Sequence, residues 1–95
     1  VDPSLSLADM ISAGLVVAGA GELVAARYFA FQEEPRSQLI AALLLWEGLA
    51  MFVCATVLHW RQDFGMSTVI ALIAIWMAGA GMGLLRAGIF DAPHE

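Results

Sequence analysis

The sequence predicts an all-α integral membrane protein, in which three transmembrane helices cross the bilayer up-down-up and are joined by short loops. Three observations carry that expectation. Of the 95 residues, 61% are apolar and 14% charged, against roughly 45–50% and about 25% in soluble domains. A small chain has much surface for its volume and needs extra polar residues if water is its solvent, yet mean hydropathy is +0.82. Finally, Pro3, Pro35 and Pro93, with most of the charges, flank three long apolar runs instead of interrupting them.

The runs cover residues 10–31, 39–60 and 66–85, the third carried in a helix to about residue 87. Each matches the roughly 20 residues needed to cross a hydrocarbon core of about 30 Å. The first, MISAGLVVAGAGELVAARYFAF, is the least apolar, holding Glu22, Arg27 and several glycines. A central charge costs on the order of 3 kcal/mol on an insertion scale, so this helix needs partners. The second contains one acid, Glu47, and ends on His59 and Trp60 at the level of an interfacial belt. The third has no ionisable group. Such short connections make consecutive helices antiparallel neighbours within one transmembrane domain, residues 1–95.

Charge narrows the function classes. The chain has four basic residues, all arginine, and nine acids, for a net charge of -5, so it offers no basic tract for nucleic acid. Cys54 is the single cysteine, which excludes an internal disulfide and cysteine-based metal spacing. The opening VDPSLSLADM has no basic stretch ahead of its apolar run and does not read as a cleavable signal peptide. Arg27, Arg36 and Arg86 fall on one side and Arg61 on the other, which favours the N-terminus outside and the C-terminus in the cytoplasm, in a bacterial inner membrane.

Depth gives the most specific expectation. In a hairpin turning near Pro35, residue i stands opposite roughly residue 70 − i, which brings Glu22 level with Glu47 and Gly48. Reflection about Asp63 sets Glu47 level with Gly79, at the head of a glycine-rich run. Small residues at helical spacing mark faces for close packing: Gly14, Ala18, Gly21 and Ala25 beside Glu22; Ala50 and Cys54 beside Glu47; Gly79 and Gly83 on the third helix. Two carboxylates in a low-dielectric site do not both ionise cheaply, so at least one is expected to hold a proton. Two roles fit: a proton or cation path, or interhelical hydrogen bonding worth about 1 kcal/mol or less.

Other chemistry is sparse. His59 and His94 are expected at opposite membrane faces, which excludes a bis-histidine haem within the chain; His59 alone is the one residue offered to a cofactor. Arg86 is expected to meet Glu33 and Glu34 at the first loop. Neither a hydrolase triad, a phosphate loop nor an HExxH motif is present, so no residue is assigned to catalysis or metal binding.

The expectation is therefore a small non-catalytic subunit of a larger, bioenergetic membrane complex, respiratory or photosynthetic. Its partners would be other integral membrane subunits, in a hetero-oligomer before a homo-oligomer, with no intrinsic cofactor and with lipid, pigment or haem supplied by those partners. In size and three-span layout the chain also resembles the three-helix phage holins, which implies a pore-forming lysis protein. It departs from them in its acidic tail, 90–95, where holins carry a basic stretch. The mid-membrane acids are similar to those of small three-helix subunits of complex I and of multisubunit cation/proton antiporters, with no matching motif. A homo-oligomeric proton or cation channel ringed by Glu22 and Glu47 is the third alternative.

Overall fold

The computed structural model describes residues 6–86 and has three helices, α1 (Leu7–Ala30), α2 (Pro35–Arg61) and α3 (Met66–Arg86), with no strand among the described residues. Each is long and apolar enough to cross a membrane, as the composition predicts. The tail 90–95, His94 and the end of the third helix near residue 87 lie outside the described residues.

The boundaries differ from the apolar runs for local reasons. Helix α1 begins three residues early because Ser6 caps it, its hydroxyl accepting the Asp9 backbone N–H at 3.0 Å. Helix α2 begins at Pro35, ahead of the expected residue 39. Proline is suited to the first helical position, where its missing N–H has no helical partner to lose. At about 1.5 Å per residue, its 27 residues reach about 40 Å, so its end turns extend past the apolar run. It stops at Gln62, whose left-handed backbone (φ 56) turns its N–H back to Leu58 O at 2.9 Å. Helix α3 starts where the Asp63 carboxylate accepts the Gly65 N–H at 2.8 Å and the Thr68 hydroxyl at 2.7 Å.

Helix α2 packs against both α1 and α3, whereas α1 and α3 do not touch. The result is a single layer, 12 Å deep in its thinnest direction. Small residues recurring every seven positions make the α1–α2 interface: Ser12, Gly19 and Ala26 on α1, Ala41, Gly48 and Ala55 on α2, all buried. Seven residues are about two turns, so each set forms one stripe. At its centre the backbones nearly meet: a Cβ on either Gly19 or Gly48 would stand 3.0 Å from the other's carbonyl oxygen. The α2–α3 interface is closer still, since a Cβ on Gly79 would stand 2.6 Å from Ala50 Cβ and 2.9 Å from Trp46 O. Gly83 abuts Leu43.

Of the small-residue faces marked in the sequence, the one on α1 is not used within the chain. Gly14, Ala18 and Gly21 do not face the other helices of this chain; all three are exposed, and nothing lies within 4 Å of a Cβ built on Gly14 or Gly21. Gly21 is two residues from Gly19, which turns it about 200° around the helix. The packed stripe is carried by Gly19.

Polar contacts pin both ends of the α1–α2 hairpin. At one end, Gln62 Nε2 donates to Asp9 Oδ1 at 2.6 Å, and the Ser6 hydroxyl donates to Gln62 Oε1 at 2.6 Å. His59 Nδ1 lies 2.7 Å from Asp9 Oδ1. At the other, Gln38 Nε2 donates to the carbonyls of Ala30 and Gln32. These carbonyls at the end of α1 would otherwise lack partners.

Gly79→Ala is expected to destabilise the layer by about 1–3 kcal/mol through overpacking, whereas Gly81→Ala, with open space at its Cβ, leaves stability unchanged; denaturant titration in detergent micelles reads both. At the α3 start, hydrogen bonds from Thr68 and Gly65, with Arg61 nearby, hold the Asp63 carboxyl below the ordinary value of 3.8. A depressed acid contributes fully above its unfolded pKa, about 4. That contribution fades as pH falls through the lowered value. The amide resonances of Gly65 and Thr68 should titrate there, and Asp63→Asn should abolish the titration.

Candidate functional site

The candidate site is the pair of acids within the apolar spans. Glu22 follows Gly19 by three residues and flanks the packed stripe of α1, while Leu23, on the other flank, packs over Gly48. Glu47 directly precedes Gly48, so the Gly19–Gly48 contact brings both acids to neighbouring positions along the hairpin. By helical position they share one broad face of the layer.

Their surroundings differ. Glu47 turns toward α3, where its Oε1 accepts the indole N–H of Trp76 at 2.7 Å. Glu22 keeps one oxygen, Oε1, buried with no hydrogen-bond partner. Among the described residues the two carboxyls do not hydrogen-bond to each other. An unsatisfied buried carboxyl oxygen is costly; it can take or give a proton, or bond to a group from outside this chain. Nearby, Cys54 is buried and its thiol donates to Leu72 O at 3.5 Å.

Trp76 is a partner for Glu47 that the depth and spacing of the acids alone do not bring out. The signal was present: residue 76 is about one turn before Gly79, the position level with Glu47, and an indole N–H needs an acceptor when it lies away from water. Ala50, Gly79 and Gly83 line the α2–α3 contact beside the site, whereas Gly14, Ala18 and Gly21 lie on the outer side of α1.

His59 lies far from the acids, at the Asp9 end of the hairpin, its ring exposed and Nδ1 engaged by Asp9. Among the described residues no group of three or more His, Cys, Asp or Glu side chains could hold a metal ion. The expected pairing of Arg86 with Glu33 and Glu34 is not made; among the described residues the carboxylates of Asp9 and Asp63 are the ones engaged, by the His59 ring and by Arg61. Arg86 instead lines a groove with Arg27, whose guanidinium sits over the Phe31 ring at 5.2 Å.

Compared with known proteins, the chain matches no family model, and neither a curated protein nor a solved structure matches it.

Replacing Trp76 by Phe removes the indole donor and keeps an aromatic ring; the expected loss is about 0.6 kcal/mol and no more than about 1.7, the range for interhelical hydrogen bonds in membranes. A double-mutant cycle with Glu47→Leu isolates the coupling. A coupling near zero would mean the bond contributes nothing to holding α3.

Proposed function

We propose that the chain is a non-catalytic subunit of a larger membrane complex, of the bioenergetic kind, assembled with other integral membrane subunits. The observation that carries this reading is the small-residue seam left outside the chain's own packing. Gly14, Ala18 and Gly21 are exposed along α1, with open space above both glycines. Lipid tails are as apolar as leucine, so a seam of small residues gains nothing special from lipid; it gains from a neighbouring helix whose backbone can come close.

The single-layer architecture supports the same reading. Its broad faces and its outer edges are free for neighbours, and large apolar side chains such as Val17, Val24, Ile70 and Met77 project from them. Proton handling is the finer part of the proposal. It draws on the unpartnered Glu22 oxygen and the neighbouring Glu47, since ionisable groups at this depth default to such roles.

Purification in mild detergent with identification of co-purifying chains tests the proposal. The wild type is expected to carry stoichiometric membrane partners, and Gly14→Leu with Gly21→Leu to lose them while helicity persists. A wild-type chain that purifies alone, or only with copies of itself, contradicts the subunit reading. For the proton path, Glu22→Gln and Glu47→Gln are expected to leave assembly intact and slow proton-coupled turnover. Normal turnover in both would leave the acids a structural role only.

A further inference from the structure

On the layer face opposite the two acids, a groove of about 800 Å³ runs along α1 and α2, with Arg86 at the end of α3 closing its head. It exists because α1 and α3 do not touch. At its head stand two guanidiniums from different helices, Arg27 and Arg86; inward, Leu39, Ala42 and Leu45 of α2 form the floor and Leu23 of α1 one wall. From this geometry we infer that the groove binds one anionic phospholipid, its phosphodiester between Arg27 and Arg86 and one acyl chain along the α2 floor.

Charge, length and volume each fit that occupant. Neither arginine pairs with a carboxylate among the described residues, and Glu33 and Glu34 of the adjoining loop do not line the groove. Two guanidiniums attract a phosphate group and bond it in bidentate fashion. The groove opens at the end of the spans where Arg27, Arg36 and Arg86 gather, from which long arginine side chains reach up to lipid phosphates. From Leu39 to Leu45 the floor rises by six residues, about 9 Å of helix, within one half of a hydrocarbon core of about 30 Å. The floor thus takes the upper part of one acyl chain. Its volume falls within the range of about 300–1,000 Å³ usual for small-ligand sites. Gln38, bonded to the carbonyls of Ala30 and Gln32, holds the α1 and α2 rims together, so the head of the groove is preformed.

The experiment is native mass spectrometry of the delipidated protein in a nonionic detergent, titrated with phosphatidylglycerol or with phosphatidylcholine of the same acyl chains. One phosphatidylglycerol is expected to bind per chain, in clear preference to phosphatidylcholine. Arg27→Gln and Arg86→Gln should each weaken it about tenfold, the loss expected for a charge-assisted bond. Arg36→Gln, on the same side but outside the groove, should leave affinity unchanged and so separates a site from a general charge effect. Ala42→Phe fills the floor and should abolish binding with both arginines intact.

Equal binding of the two lipids overturns the proposal. So does equal weakening by Arg36→Gln, or displacement of the lipid by millimolar inorganic phosphate, which would mark a headgroup site without a chain. A crosslink from Ala42→Cys to any polypeptide, of this chain or another, would place protein in the groove and also overturn it. Circular dichroism of each variant confirms that the helices are intact before its affinity is read.

Discussion

The structure depends on how closely two backbones approach at Gly19 and Gly48. Within a bilayer, water does not drive helices together, so association rests on van der Waals contact, hydrogen bonds and lipid entropy. Contact is best where side chains are absent. Here a single methylene on either glycine would sit 3.0 Å from a carbonyl oxygen of the other helix. The heptad spacing of small residues extends that approach over two turns in each direction, to Ser12 opposite Ala55 and Ala26 opposite Ala41. Polar bonds at the hairpin ends, Gln62 to Asp9 and Gln38 to Ala30, then stop one helix from sliding along the other. The depth of Glu22 and its closeness to Glu47 follow from this register.

The second interface obeys the same rule with different residues. Helix α2 presents Gly48 toward α1 and Ala50 toward α3, two positions that differ by about 200° around the helix. That angle is why the three helices lie in a layer and do not close into a triangle. It also gives the two broad faces opposite characters. One carries Glu22 and Glu47, the latter held by Trp76; the other carries the groove headed by Arg27 and Arg86. A carboxyl pair and a guanidinium pair are thereby separated by the thickness of one helix.

Much of this was legible in the sequence. Length and hydropathy determine three spans, because the bilayer leaves few other arrangements for so many apolar residues. Short loops determine the antiparallel arrangement; the contact of Gly83 with Leu43 falls where a simple reflection sets it, and that of Gly19 with Gly48 falls three residues from it. The rotation of α1 was not legible in the same way. Gly14, Ala18 and Gly21 form as good a small-residue seam as Ser12, Gly19 and Ala26, and composition cannot say which is used inside the chain. The deciding signal is joint: Gly14 and Gly21 also stand seven apart, but that series ends on Tyr28, whereas Ser12, Gly19 and Ala26 carry three small residues to match Ala41, Gly48 and Ala55. The Trp76 bond is not legible in the sequence because it needs rotation and depth together. Arg86 was expected to pair with Glu33 and Glu34 at the first loop, because the sequence does not show that α1 and α3 stand apart.

That separation of α1 from α3 also governs how disturbance travels. The molecule is two interfaces in series, with α2 belonging to both. An event at the outer edge of α1, such as the arrival of a neighbouring helix, reaches α3 through protein contacts only by rotating or tilting α2. Glu47 rides on α2 beside the first interface and is bonded across the second. Any such rotation therefore registers first as a strained or broken Glu47–Trp76 bond, which makes that indole a reporter of mechanical coupling between the two edges.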